Sequence, residues 1–381
     1  SLRRQRQMCI RDSPSASWDP SLRKHRKAMN LWSYILKRTL LMIPTLLGVI
    51  AITFAVIQFV PGGPVEQALI ELKKGQTGAG ESSGGGASEY RGRQGVDAER
   101  VAEIKALYGF DKPPTERFWN MLKGFAKFDL GQSFYHHKDV WELVKSKLPV
   151  SITIGLWTFF LTYVISVPLG VAKAVREGSR FDSVTSTIVL VGYSIPGFVL
   201  GVFLLVVFAG SSFMQWFPLR GLTSDDWETL SWFGKIKDYL WHITLPVTAS
   251  VAGSFAVMTM LTKNTFLEEI RKQYVLTARA KGLSERAVLY KHVFRNALIP
   301  LVTGFPAAFI GAFFAGSLLI ETLFSLDGLG LLSYESVVRR DYPVVLGTLY
   351  LFTLIGLVVK LLGDLCYVWA DPRVQFESLA R

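Results

Sequence analysis

Six long apolar runs, separated by polar segments, dominate the pattern of the chain. Each run is about 20 residues or longer and is interrupted by Gly, Pro, Ser or Thr but by very few charges. A helix of about 20 residues is long enough to cross the roughly 30 Å apolar layer of a bilayer. The pattern therefore predicts an all-α membrane protein with six transmembrane helices, at about residues 39–60, 149–172, 182–209, 242–262, 298–320 and 344–369.

The polar segments before the second apolar run predict a leader and an insertion on either side of the first transmembrane segment. Residues 1–28 are basic and lack apolar periodicity, which indicates an extraneous or disordered leader before a first transmembrane segment at 29–64. Residues 65–148 form an extracytoplasmic insertion with a Gly/Ser-rich linker at 75–97. The stretches AERVAEIKALYGF and PTERFWNMLKGFAKF within it predict short helices. We expect its aromatic residues to cap the bundle at the membrane interface, namely Trp119, Phe125, Phe128 and Trp141.

The segment 210–240, between the third and fourth runs, is predicted to form a second cap on the outer side of the membrane.

Basic residues predict which segments face the cytoplasm. Four segments hold 23 Lys and Arg against 8 Asp and Glu, namely 1–38, 173–181, 263–297 and 370–381. The segments 210–240 and 322–343 hold 5 against 7. Because Lys and Arg collect in cytoplasmic loops, both termini and the loop 263–297 are predicted to be cytoplasmic. The net charge of +12 thus indicates topology and contact with membrane lipid, and no nucleic-acid partner is expected.

The basic loop between the fourth and fifth runs contains a predicted helical hairpin, YVLTARAKGLSERAVLYKHVFRNALIP. Apolar positions over 265–281 predict one helix, and Gly282 ends it because glycine adopts the left-handed conformation cheaply. Ser284 is suited to cap a second helix that leads through Asn296 to Pro300.

One face of this hairpin is basic and admits two interpretations. It carries Lys281, Arg286, Lys291 and Arg295. A rigid hairpin of this kind suits docking into another protein. An amphipathic hairpin lying on the lipid surface is the alternative.

The sequence contains no constellation that predicts catalysis, a cofactor or a metal site. GESSG at 80–84 matches G-x-S-x-G but lies in the low-complexity linker, without the strand and helix that the motif requires. Cys9 and Cys366 do not predict a disulfide, and His136 and His137 have no partners at ligand spacing. A phosphate-binding G-x-x-x-x-G-K-[ST] loop is absent, so ATP-driven transport would require a separate ATPase subunit.

Charges inside the predicted spans are the remaining candidates for function. Lys360 and Asp364 lie at i and i+4 near the cytoplasmic end of the last span, where they are expected to neutralise each other. A substrate or proton site is the alternative. Glu321 at the outer end of the fifth span is expected to join a gate or to be solvated.

The hairpin resembles the coupling motif of permease subunits in binding-protein-dependent ABC importers. In that family, Glu-Ala-Ala and three further residues precede a glycine, and an Ile/Leu-Pro pair follows. Here YVLTARAKGL and HVFRNALIP place Gly282 and Ala278 on the pattern, whereas Leu276 and Thr277 replace its Glu and first Ala.

Longer motifs are similar to the dipeptide/oligopeptide/nickel branch of this family. They are VPGGPVEQ, GYSIPGFVLG, SLLIETLFSLDGLGLL, RDYPVVLGTL and the DPR at 371–373. FPLRGLTSDDWETLSWFGKIKDYLWHITLPVT and TKNTFLEEIRKQYV are most similar to permeases of the microcin C/oligopeptide uptake system. Lys360 departs from the family, whose members often carry Asn there.

This resemblance implies an ABC importer type I permease (MetI-like) fold, with a permease core at 149–369 and a cytoplasmic tail at 370–381. It implies four partner subunits in the bacterial inner membrane system: a second homologous permease, two ABC ATPases and a periplasmic peptide-binding protein. The cargo would be oligopeptides, including microcin C-like peptides. Dipeptide or nickel import is the alternative.

The resemblance also implies that the hairpin sits in a cleft on an ATPase subunit. The residues it assigns to this coupling loop are Ala278, Arg279, Lys281, Gly282, Arg295, Asn296 and Pro300. An ion-driven secondary transporter is a further alternative. It would require several carboxylates within spans, and only Asp364 lies well inside one.

Overall fold

The computed structural model describes residues 31–59, 110–210, 213–314 and 317–370. The predictions for the leader, the Gly/Ser-rich linker, the helix AERVAEIKALYGF and the tail beyond residue 370 lie outside these residues, apart from Phe110. The described secondary structure is helical, with an isolated β-bridge between Gln132 and Asp139. In chain order the helices are α1 (Leu31–Phe59), α2 (Pro114–Phe125), α3 (Val140–Val175), α4 (Arg180–Ser194), α5 (Gly197–Phe208), α6 (Trp232–Ile270), α7 (Gln273–Ala280), α8 (Glu285–Ala297), α9 (Ile299–Phe314), α10 (Leu318–Leu323), α11 (Leu329–Val338) and α12 (Tyr342–Ala370).

Four of these helices are long and apolar enough to cross a membrane as single rods, namely α1, α3, α6 and α12. The bent pairs α4–α5 and α8–α9 bring the number to six if each pair is one span. The prediction of an all-α protein with six membrane segments is confirmed in this form.

The third predicted span, 182–209, was wrong as a continuous helix. α4 and α5 meet at an angle of 92°. The break falls at Ile195 and Pro196. Ile195 is extended, with φ −91° and ψ 116°, because the ring of a following proline disfavours the helical conformation. The fifth span also differs from 298–320: α9 ends at Phe314, and the separate short helix α10 begins at Leu318.

The centre of the bundle is formed by α3 packed along α6 and against α9. Glycines on α3 permit this close approach. A Cβ atom added at Gly155 would lie 1.6 Å from the carbonyl oxygen of Ala312, and one at Gly170 would lie 2.6 Å from Cβ of Thr262. Small residues at such crossings let helix backbones approach in membrane proteins.

The end of the bundle where α3 and α6 begin carries α2 and several polar ties. The predicted helix in PTERFWNMLKGFAKF is confirmed as α2. Phe125 is buried, with its ring centroid 4.9 Å from that of Tyr350, whereas the other three predicted interface aromatics are exposed. The predicted second cap, 210–240, is only partly separate from the fourth span, because the helix of that span, α6, already begins at Trp232 and is capped by Ser231.

Glu321 lies in α10 at this same end and is buried, so the expectation of a solvated side chain was wrong. Its carboxylate accepts a hydrogen bond of 2.7 Å from the backbone N–H of Leu331 and one of 3.4 Å from the Ser151 hydroxyl. The first of these donors is in the first turn of α11, where unpaired N–H groups favour an anion. Glu321 therefore holds the start of α11 against the bundle.

Candidate functional site

The hairpin consists of α7, a tight turn and α8, and its turn matches the prediction. Gly282 has φ of +79°. Its N–H donates to the Arg279 carbonyl at 2.9 Å, and the Leu283 N–H donates to the Ala278 carbonyl at 3.4 Å. This pair of bonds is the Schellman arrangement, which a glycine at this position favours.

The second helix of the hairpin begins as the sequence predicted. The Ser284 hydroxyl accepts a hydrogen bond of 3.4 Å from the Ala287 N–H and caps α8. Arg279 does not present a free charge, as it forms two hydrogen bonds of 2.9 and 3.0 Å to the Glu285 carboxylate. This exposed bridge links the two helices across the turn, and such pairs are worth about 0.2–1 kcal/mol.

The first helix of the hairpin is shorter than predicted. Residues 265–281 were predicted to form one helix, but α6 ends at Ile270 and α7 begins at Gln273. The carboxylate of Glu269 pairs with Lys272 at this break and raises the pKa of the Lys272 ammonium group. The chain turns here, so α7 folds back on the bundle instead of extending α6 away from it.

The second helix contains a π-helical turn, Val288–Val293, which the sequence did not predict. In this turn the Phe294 N–H bonds to the Leu289 carbonyl, five residues earlier. The wider turn brings residues at i and i+5 to one face. Val288 and Val293 are accordingly both buried.

These valines belong to a hydrophobic core that attaches the hairpin to the bundle. The core joins α7 and α8 to the ends of α3 and α6, and its buried members are Ala174, Phe266, Val275, Ala278, Val288, Val293 and Ala297. The rings of Phe266 and Phe294 meet edge to face at 5.4 Å. Ala278 is only 5% exposed, so it packs inside the hairpin as part of this core.

Asn296 also points into the hairpin. Its side-chain amide donates to the Tyr274 hydroxyl at 3.2 Å, and that hydroxyl donates to the Glu269 carboxylate at 2.6 Å. Burial, and then the bond to Glu269, raises the pKa of Tyr274. The chain Asn296–Tyr274–Glu269 thus links α8, α7 and α6.

The exposed side chains of the hairpin include both apolar and basic residues. Leu276, Leu283 and Tyr290 are 56%, 40% and 63% exposed. Lys281 and Arg295 are exposed as well and make no salt bridge to any residue that the structure describes. We call these five residues the hairpin outer face. Pro300 is exposed in the first turn of α9, next to the 50° bend between α8 and α9.

A buried ionic cluster fixes the helix ends beneath the hairpin, and the sequence did not predict it. The Lys173 ammonium group is 0% exposed and lies 3.2 Å from the Asp182 carboxylate. Lys263 donates to both oxygens of Asp182, at 2.7 and 2.8 Å. α3, α4 and α6 are therefore joined at one carboxylate. The sequence offered one signal for this cluster: two apolar runs are each followed by a lysine, and a third begins with an aspartate.

The predicted pair of Lys360 and Asp364 does not form. Asp364 instead accepts from the Tyr34 hydroxyl at 2.8 Å and pairs with Arg38 at 3.1 Å. Lys360 is exposed and makes no salt bridge within the described part of the chain. Asp364 thus attaches α12 to α1.

The residues that the structure describes contain no group of three or more His, Cys, Asp or Glu that could hold a metal ion.

Comparison with known proteins agrees with this architecture. Residues 166–376 match the family described as "Binding-protein-dependent transport system inner membrane component". A protein of Agrobacterium fabrum named "Peptidoglycan transport system permease protein YejB" is 54% identical over 358 residues, which cover 91% of this chain and 98% of that protein. "Inner membrane ABC transporter permease protein YejB" of Escherichia coli O157:H7 is 52% identical, with coverage of 91% and 99%.

A more distant relative has a similar coverage. "Dipeptide transport system permease protein DppB" of Escherichia coli K12 is 32% identical over 91% of this chain and 99% of that protein. The family match spans more than half of the chain, and the relatives match along nearly their whole length. This chain therefore belongs to the family of binding-protein-dependent transport system inner membrane components, the membrane permeases of ABC importers.

Proposed function

We propose that this chain is the permease subunit of an ATP-driven importer that carries oligopeptides across the bacterial inner membrane. Peptide cargo is supported by the names of the relatives, which include a dipeptide permease and a peptidoglycan permease. Microcin C-like peptides are among the candidates. The subunit itself is not catalytic in this proposal, since ATP is hydrolysed by two partner ATPases.

The hairpin carries the mechanistic part of the proposal. It is packed against the ends of α3 and α6 and shows an apolar and basic outer face. A surface of this composition suits a protein interface, where a buried apolar centre is surrounded by polar contacts. The outer face docks on an ATPase subunit, and ATP-driven movement of that subunit tilts α3 and α6 through the buried core of the hairpin.

The remaining parts of the proposal concern orientation and partners. The hairpin and both termini lie in the cytoplasm, as the distribution of Lys and Arg favours. The insertion at 65–148 lies on the opposite side, near a periplasmic peptide-binding protein. A second, homologous permease completes the translocation path.

Uptake into reconstituted vesicles tests this function. The chain is assembled with its partner permease and both ATPases, and binding protein is added outside. Uptake of a labelled tripeptide is expected to require ATP and to persist without any ion gradient. Uptake that needs the gradient and not ATP would contradict the proposal, and ATP-dependent uptake of nickel without peptide uptake would assign another cargo.

A further inference from the structure

A pocket lies at the end of the bundle that carries α2, away from the hairpin. Its volume is about 410 Å³, within the roughly 300–1,000 Å³ typical of ligand pockets. It lies between the last two turns of α1, the helix α2, the loop 129–134 and the first turns of α12. Because α1 and α12 are membrane spans, the pocket is at the depth where acyl chains meet headgroups.

The lining of this pocket divides into an apolar and a polar part. The apolar part includes Phe54, Ile57, Met121, Phe125, Leu130 and Leu346, of which the last three are at most 5% exposed. The polar part includes Gln58, Lys112, Arg117, Asn120 and Asp129, which are half-buried or exposed. The pocket therefore has an apolar floor and a polar rim.

The guanidinium group of Arg117 in the rim is half-buried and lacks a carboxylate partner within the described part of the chain. Its Nη2 group donates to the Gln58 amide oxygen at 2.6 Å, and its Cζ atom lies 4.3 Å from the centre of the Phe110 ring. Nε is enclosed without a hydrogen-bond partner, whereas Nη1 is not enclosed and has no partner among the described residues either. Burial lowers the pKa of Arg117, because a cation is taken from water. The rim thus presents a cation that an anion would balance.

The protein surface beside the pocket is suited to contact lipid. Val56 and Phe59, on the last two turns of α1, are 57% and 86% exposed. On α2, Trp119 is 56% exposed, and the Lys123 ammonium group lies 5.6 Å from the centre of its ring. Tryptophan collects at membrane–water interfaces, and lysine extends its charge from there to the headgroups. These side chains indicate that α2 lies along the membrane surface.

We propose that this pocket binds one phospholipid of the surrounding leaflet, with its phosphate on Arg117 and one acyl chain on the apolar floor. Guanidinium N–H groups form strong hydrogen bonds with phosphate oxygens. An acyl chain removes the floor from water, which a free anion in the rim would not do. A lipid held in this way ties α2 to the spans α1 and α12. The site is separate from the hairpin and from any cargo path.

Single substitutions test the charge and the space separately. Arg117→Gln removes the charge but keeps a donor for Gln58, and Arg117→Lys keeps the charge. Asn120→Trp places a large ring at the rim from an exposed position, where the fold tolerates it. Matched controls are Lys123→Gln, which removes a charge from the same helix, and Ala126→Trp, which adds the same ring. Both control positions are exposed and outside the pocket lining.

The measurement uses the assembled transporter in a mild detergent with a photoreactive phosphatidylglycerol, which carries a diazirine on one acyl chain. After illumination, mass spectrometry locates the label, which is expected on the residues of α1, α2 and α12 that line the pocket. Labelling is expected to fall roughly tenfold in Arg117→Gln, the effect of one charge-assisted hydrogen bond, and less in Arg117→Lys. It is expected to fall at least as far in Asn120→Trp and to stay within twofold in both controls.

Competitors identify what the pocket recognises. Unlabelled phosphatidylglycerol and phosphatidylethanolamine share the phosphodiester group and are expected to displace the label, whereas diacylglycerol and inorganic phosphate are not. Displacement by inorganic phosphate, a tripeptide or the binding protein would overturn the proposal in favour of that ligand. Labelling that is unchanged in both Arg117→Gln and Asn120→Trp, or that lies only outside the pocket, would also overturn it. Labelling needs neither ATP nor peptide, so a failure of the proposed function leaves this test intact.

Discussion

The turn at Gly282 offers the sharpest test of the hairpin as a mechanical element. Its φ of +79° lies in the left-handed region, and a Cβ atom there would meet nothing within 4 Å. The cost of a side chain is therefore one of backbone conformation alone. For an L-residue other than glycine this is about 1–2 kcal/mol, lower for asparagine and higher for a β-branched residue.

This conformational cost determines the fraction of molecules in which the hairpin keeps its turn. Each 1.4 kcal/mol reduces the turned population about tenfold relative to the unturned one. Uptake per ATP hydrolysed is expected to stay near wild type in Gly282→Asn, to fall severalfold in Gly282→Ala and to fall at least tenfold in Gly282→Val. The amount of protein in the membrane should not change, since the rest of the bundle is untouched.

Gly178 provides a matched control in the turn between α3 and α4. It has φ of +73° and equally open surroundings, but it lies outside the hairpin. Gly178→Val therefore imposes similar strain without touching α7 or α8. Vesicles are assayed for ATP hydrolysis and tripeptide uptake in parallel. A mechanical role for the Gly282 turn is refuted if Gly282→Val keeps the wild-type ratio of uptake to ATP hydrolysed, or if Gly178→Val lowers that ratio to the same extent.

Three other substitutions test individual contacts. Asp182→Asn is expected to lower the free energy of unfolding by about 3–5 kcal/mol, because it leaves the positive charges of two lysines in a buried site without the carboxylate that balances them. The yield and thermal stability of detergent-solubilised protein check this, and the exposed Glu177→Gln is a nearly neutral control. Asp364→Asn is expected to lower the melting temperature by releasing α12 from α1, whereas Lys360→Gln should not, and equal shifts would contradict the pairing found here. Tyr274→Phe removes the hydroxyl that joins three helices and should speed hydrogen exchange in the hairpin without unfolding the bundle, so unchanged exchange rates there would show that this tie is dispensable.

Local chemistry explains which features of the hairpin could be predicted from sequence. Gly282 and Ser284 act through bonds to residues within a few positions, so their types alone indicate a turn and a cap. The π-helical turn between Val288 and Val293 could not be predicted, because burial of both valines against Phe266 depends on how the hairpin packs. Ala278 carries the family pattern, yet the pattern does not say that its side chain faces inward.

Contacts between distant segments account for most of the remaining differences between the sequence predictions and the structure. Tyr34 and Asp364 are 330 residues apart and meet only because α1 packs on α12. The nearby Lys360 was therefore the only partner that the sequence suggested. Asp182 likewise serves two lysines on different helices, which apolar runs cannot reveal. A helix break at Ile195 could have been predicted from the proline that follows it, but the proline alone does not fix the angle of 92°.

Site-specific photocrosslinking in the assembled transporter tests directly whether the hairpin outer face docks on an ATPase subunit. The photoreactive amino acid p-benzoylphenylalanine replaces Tyr290, which is 63% exposed on the hairpin outer face. The same amino acid replaces the exposed Trp216, whose carbonyl binds Trp241 at the opposite end of the bundle. We expect a crosslink from position 290 to an ATPase subunit and none from position 216. A position 290 that links only to lipid, or a position 216 that reaches the ATPase, would contradict this docking.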